Sequence, residues 1–278
     1  MFKPLENMRV VTLALNLPGP LAARRFVELG ATVIKVEPPQ GDPFNHYCPD
    51  WYKEMNAGQE LKVIDAKTKE GEAELAELLS TADLLLTAQR PGALDRLGLG
   101  WDVLQAKYPK LNHVAVVGYP APHEEHAGHD LTYQASLGLL TPPMFPKTLV
   151  ADLAGGERAA LVGLTLLMGS KAGLKGEREL VALSDAAEYM AQPVKHGLTS
   201  DGAMLSGVLP EYAIYEASEG WVAVAAIEPH FKAKLKQELN LEPLTKENLA
   251  AKLKEKPASE WETWANANDI PIVKLKEA

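Results

Sequence analysis

Five short runs rich in valine, leucine and isoleucine recur in the first part of the chain: VVTLAL (10–15), TVIKVE (32–37), LKVIDA (61–66), DLLLTA (83–88) and HVAVVG (113–118). Between them stand the amphipathic stretches PLAARRFVELG, KEGEAELAELLSTA and WDVLQAKYPK, whose apolar residues return at helical spacing. A strand that is apolar on both faces is stable only in a sheet covered on both sides, and helices between consecutive strands supply that cover. The alternation predicts an open, mainly parallel α/β sheet.

A long helix is expected from about Gly156 to Met168, then a Gly/Lys turn, GSKAGLKG, and a further apolar run, ELVALS (179–184). Around 192–210 the composition changes to QPVKHGLTSDGAMLSGVLP, which lacks any clear period and reads as a linker. Beyond it, EYAIYEA and WVAVAAIEP read as strands, and PHFKAKLKQEL and TKENLAAKLKEK as charged helices with a solvated face. These divide the chain into a large domain, 1–195, and a smaller α+β domain, 196–278.

Bulk properties narrow the function classes. The chain carries 28 Lys and Arg against 37 Asp and Glu, a formal net charge of −9. A nucleic-acid partner requires an excess of cations to displace counterions, so none is expected. A small anionic ligand needs only a few local cations or a helix N-terminus. The single cysteine, Cys48, excludes an intrachain disulfide and fits a reducing compartment. Residues 1–15 show no secretory pattern, and the longest largely apolar stretch, Ala159 to Gly169, is too short to span a bilayer. A cytoplasmic protein with no membrane partner is expected.

Three histidines, His123, His126 and His129, lie at spacings of three in the loop after the fifth run. Helical metal pairs prefer a spacing of four, while Pro120, Pro122 and Gly128 break any helix here, so no metal site is expected. His123 and His126 read as solvated loop residues. His129 precedes a segment that can begin a helix, with Asp130 as its N-cap. Asp152 ends the run LVAD, ahead of Gly155-Gly156 and the long helix, and reads either as an N-cap or as a carboxylate beside an anion site. In the second role the glycines would admit a ligand, the helix-start N–H groups would hold developing negative charge, and Asp152 would attack an acyl carbon or move a proton. No G-x-G-x-x-G or phosphate-loop spacing is present; Pro18-Gly19-Pro20, between a strand and a helix, is a plausible seat for a phosphate or pantetheine arm.

The blocks NLPGPLAARRFVELGATVIKVEPPQGDP, NAGQELKVIDAK, RPGALDRLGLGWDVL, GHDLTYQA, ADLAGG and AIEPHF, in that order, resemble the class III CoA-transferases, a family that also contains α-methylacyl-CoA racemases. The resemblance implies a Rossmann-like large domain, an acyl-CoA thioester as substrate, coenzyme A entering only as part of that substrate with no separate cofactor, and a homodimer whose chains interlock. It places Pro18, Gly19, Pro20, Lys35 and Arg90 near the nucleotide and pantetheine. It makes Asp152 the acyl-anhydride nucleophile of a transferase or one base of a racemase. GHD and AIEP resemble the racemase branch, which implies His129 as the second base and Glu228 as the group that orients it. Racemisation at the carbon next to a thioester needs an acid–base group on each face and a stabilised enolate oxygen. The sequence departs from the family in four places. Gln59 replaces a common lysine, and Tyr119-Pro120-Ala121-Pro122 replaces a glycine-rich loop. Few residues separate His129 from Asp152, which implies a reshaped acyl pocket, and longer relatives continue past ANDIPIVKLKEA. The expectation is a racemase acting on a 2-methylacyl-CoA type of thioester, with a CoA-transferase as the alternative and a CoA-binding protein without catalysis as the third reading.

Overall fold

The structure is a computed structural model and describes residues 2–276. The chain forms two compact units, Met1–Ala191 and Gln192–Ala278. The first begins β1 (Arg9–Thr12), α1 (Pro18–Glu28), β2 (Thr32–Glu37), α2 (Pro43–Tyr47), α3 (Pro49–Asn56) and β3 (Glu60–Val63). It continues with α4 (Lys69–Ser80), β4 (Leu84–Thr87), α5 (Pro91–Arg96), α6 (Trp101–Lys107) and β5 (Asn112–Val117). It ends with α7 (Asp130–Ser136), α8 (Val150–Lys171), β6 (Arg178–Ala182) and α9 (Leu183–Met190). Helices α1, α2, α3 and α5 each open on proline, whose fixed φ and missing N–H suit a first turn.

The six strands form one sheet in the order β3-β2-β1-β4-β5-β6, every neighbouring pair parallel. The expected α/β sheet is therefore present, and ELVALS supplies its sixth strand before turning into α9 at Leu183. Successive residues of β1 serve opposite faces. Val10 packs with Leu84, Val114, Phe26 of α1 and Leu167 of α8, whereas Val11 packs with Ile34, Leu85 and the α4 leucines Leu75, Leu78 and Leu79. Strand order reverses between β1 and β4. The loops leaving their carboxyl ends diverge there, opening the crevice in which doubly wound sheets bind ligands.

Helix α8 differs from the expectation. It begins six residues earlier than Gly156, so Asp152 stands inside its first turn and Leu149 is the N-cap. Gly155 and Gly156 lie within the helix and serve packing. A Cβ on Gly155 would come 2.3 Å from Leu183 Cδ2, and one on Gly156 would come 2.8 Å from the carbonyl oxygen of Pro18. Gly163 repeats the device against Phe26, at 2.6 Å. Glycine costs a helix about 1 kcal/mol relative to alanine, and here the close approach of α1 and α9 offsets that cost.

The second unit contains a short helix, α10 (Gln192–Lys195), a kinked, irregular turn at Met204–Val208 with Gly207 at φ 88°, β7 (Tyr212–Glu216) and β8 (Trp221–Ala225). Three helices follow, α11 (Pro229–Leu239), α12 (Lys246–Leu253) and α13 (Ala258–Ala267), then β9 (Ile272–Lys274). Its antiparallel sheet, β7-β8-β9, has its own core of Val222, Val224, Leu235, Leu249, Leu253 and Trp261, with Trp261 Nε1 donating to the Leu253 carbonyl at 2.7 Å.

Candidate active site

A cleft of the first unit, about 480 Å³, opens at the switch point. Its floor is Leu15 to Pro18 after β1, Ala88 to Arg90 after β4, and Val116 to Gly118 at the end of β5. Asp152, His129 and Tyr133 face it from α8 and the start of α7.

Asp130 organises this wall, though not as the cap of its own helix. His129 is the N-cap of α7, with extended backbone, and Thr132 Oγ1 closes the turn by accepting from His129 N at 3.0 Å. The buried Asp130 carboxylate turns instead to α8. Its Oδ2 accepts from the backbone N–H groups of Ala151 at 2.7 Å and Asp152 at 3.1 Å, and Oδ1 accepts from Gln134 Nε2. A helix N-terminus offers unpaired donors and positive field, and the nearby carboxylate takes both. The expected use of those N–H groups to hold developing charge is thereby corrected, because Asp130 already occupies them. The cap also holds Asp152 against α7.

Burial pushes the Asp152 carboxyl up to about 6, with a further rise from the Asp130 charge and a lowering from His129. An acid tuned towards neutrality, in a cleft and within electrostatic reach of an imidazole, has the properties of a group that accepts and returns protons. Both residues line one cleft. His126 is exposed but also contributes to the wall, stacked edge-on against Tyr119, and the His123 ring packs on it at 4.7 Å between centroids. Among the described residues no group of three or more His, Cys, Asp and Glu could hold a metal ion.

The expected CoA contacts divide. Arg90 is exposed, is the N-cap of α5 and lines the cleft, where it is the only Lys or Arg among the described residues. Pro18 also lines it, but Gly19 and Pro20 are buried and absent from its lining, and a Cβ on Gly19 would fall 2.1 Å from Ala14 Cβ, so Gly19 lets the start of α1 pack closely on the segment that follows β1. Lys35 corrects the sequence reading more sharply. It is 0% exposed, and its Nζ lies 2.6 Å from Asp42 Oδ2 and 3.1 Å from Glu37 Oε1, beneath the Tyr52 ring. A cation neutralised twice in the interior cannot meet a phosphate. It acts as a strut: Asp42 Oδ1 also accepts from Asn16 N and Phe44 N, both at 2.9 Å, fixing two cleft-lining segments together. Gln59 turns back onto α3, donating to the Met55 carbonyl at 2.9 Å. Glu228 belongs to the second unit, exposed at the N-cap of α11.

Several cleft residues were not singled out from sequence. Tyr133 follows His129 by one helical turn, a spacing that puts it on the same side of α7. Tyr47, whose hydroxyl donates to Asn16 Oδ1 at 2.8 Å, follows the second strand without a recognisable motif. Outside the cleft lining, Glu125 Oε1 accepts from Gly92 N at 2.7 Å and ties the histidine loop to α5, which Arg90 caps.

A doubly wound sheet with ionisable groups gathered at its switch point defines a small-molecule-binding α/β protein. The chain belongs to CoA-transferase family III, whose family model matches residues 5–278. A Mycobacterium tuberculosis protein, Rv3272, named as a probable fatty acyl-CoA transferase, is 31% identical over 73% of this chain, and the chain spans only 54% of that relative's length. Human alpha-methylacyl-CoA racemase is 28% identical over 92% of this chain and 74% of its own. The crystal structure of Rv3272 shares the fold with a TM-score of 0.85 at 26% identity, covering 99% of this chain and 85% of that one.

Proposed function

We propose that the cleft binds an acyl-CoA thioester and that the protein moves the proton α to the thioester carbonyl, racemising a 2-methylacyl-CoA type of substrate. The observation that carries this reading is that His129 and Asp152 line one cleft, with Asp152 tuned to about 6. One group removes the α-proton, the electron pair moves onto the carbonyl oxygen, and the other group returns a proton to the opposite face. Arg90 supplies the cation for the anionic arm of the ligand.

CoA transfer is the second reading, favoured by the cleft-lining Asp152 carboxylate, whose neighbour Asp130 is already engaged with the α8 start, and by relatives named as transferases. There Asp152 attacks the thioester carbonyl, the C–S bond breaks, and CoA leaves as the thiolate while the acyl anhydride forms. A panel of acyl-CoAs incubated in deuterated water, with and without carboxylate acceptors, tests both. α-Deuterium incorporated without an acceptor supports racemisation, and acceptor-dependent movement of CoA supports transfer. The absence of either leaves only a CoA-binding protein. The auxiliary role assigned to Glu228 is tested by Glu228→Gln, for which slower exchange at unchanged CoA affinity is expected.

A further inference from the structure

Tyr133 is 1% exposed, yet its hydroxyl makes no hydrogen bond among the described residues. A buried hydroxyl without a partner costs about 1–3 kcal/mol, so a phenol kept in this state calls for a reason. The ring packs with Tyr119 at 5.2 Å between centroids, and with Ala151, Leu137, Leu183 and Ala187. The hydroxyl end rests against two backbone segments of the cleft wall. A Cβ on Gly118 would lie 2.7 Å from Tyr133 Oη, and one on Gly128 would lie 2.5 Å from it, so no residue larger than glycine fits at either position without displacing the phenol. Gly118, Gly128 and Tyr133 all line the cleft with His129 and Asp152. The phenol also stands within the fields of Asp152 and Arg90, and burial is the main cause that pushes it up to about 12. It therefore keeps its proton throughout the working range and remains a hydrogen-bond donor.

We propose that the Tyr133 hydroxyl donates a hydrogen bond to the carbonyl oxygen of the thioester bound in this cleft. The inference rests on the acyl-CoA reading and adds a substrate-contacting residue to it. The cleft needs such a donor, because Asp130 already holds the N–H groups of Ala151 and Asp152 at the α8 start. In α-proton transfer, the C–H pair moves onto the carbonyl oxygen when the base takes the proton. Tyr133 keeps its own proton, strengthens its hydrogen bond as charge grows on that oxygen, and relaxes when the α-carbon is reprotonated. In transfer chemistry the same oxygen gains charge as the carboxylate attacks.

The test uses acetyl-CoA labelled with carbon-13 at the thioester carbonyl, bound to the wild type and to Tyr133→Phe. Phenylalanine preserves the ring packing and removes only the unpaired hydroxyl, so a melting temperature at or above that of the wild type confirms that the variant is folded. Infrared difference spectra are expected to show the bound carbonyl band at lower frequency in the wild type than in Tyr133→Phe, with similar calorimetric affinity for both. Removing one such donor is expected to lower kcat about 10²–10³-fold. Coincident carbonyl bands in two proteins that both bind the ligand overturn the role of Tyr133 and leave the acyl-CoA reading standing. A wild type that binds no acetyl-CoA overturns both.

Discussion

Asp152 and Asp130 lie one helix apart and repel each other, and the consequences are measurable. Because Asp152 is raised to about 6, its carboxylate is available only above that value, so a reaction that needs it as base or nucleophile gains rate as pH rises through about 6. Neutralising Asp130 removes one cause of the rise. In Asp130→Asn the acid limb of the pH–rate profile is expected to move to lower pH, and an unmoved limb would contradict the coupling. Stability follows the opposite sense. A carboxyl whose folded pKa exceeds its unfolded one costs stability as pH rises from about 4 to about 7, since the folded state holds the proton longer. Asp152→Asn should therefore gain on the wild type across that window, by on the order of 1–3 kcal/mol, in denaturant titrations at pH 4 and pH 7. Lys35 carries a different expectation. Lys35→Met leaves Asp42 and Glu37 buried without their cation, and the loss should be about 3–5 kcal/mol in urea unfolding. Unchanged stability would show that Lys35 is not the strut described above.

Elements with a strong period were legible in the sequence. Runs 32–37 and 113–118 are observed as β2 and β5 with ends shifted by at most one residue, because continuous β-branched and leucine runs have no competing pattern. Helix α8 was only half legible. Gly155-Gly156 reads locally as a break, and only the tertiary approach of α1 and α9 makes two adjacent glycines suitable helix residues. The same contact links helix packing to the cleft, since Gly156 faces the Pro18 carbonyl. Gly156→Ala should raise helix propensity yet destabilise the protein by about 1–3 kcal/mol in thermal melts. A stabilised variant would show that the contact is slack.

For the molecule as a whole, the parallel sheet was readable because its signal is repeated in every βαβ unit, and the switch-point cleft follows from strand order. The site was readable only in part. Motif resemblance reached His129, Asp152 and Arg90, which line the cleft, but could not show that Lys35 faces inward, since strand alternation allows either side. Tyr133 stayed hidden because a tyrosine in a short helix carries no signal until the glycines opposite it are known. Arg90→Ala is expected to weaken CoA binding by about 1–3 kcal/mol in calorimetry, and an unchanged affinity removes Arg90 from the site. The homodimer implied by the family resemblance predicts a species of about twice the 30.2 kDa chain mass in light scattering, and a monomer would contradict it.

The central claim is that the switch-point cleft holds the reacting thioester, and a crystal structure with a CoA ketone analogue, in which a methylene replaces the thioester sulfur, tests it most directly. The account predicts density for the analogue in the cleft of the first unit, its carbonyl oxygen within hydrogen-bonding distance of Tyr133 Oη and its α-carbon beside the Asp152 carboxylate. Density for the acyl portion at any other place, with this cleft unliganded, would contradict it.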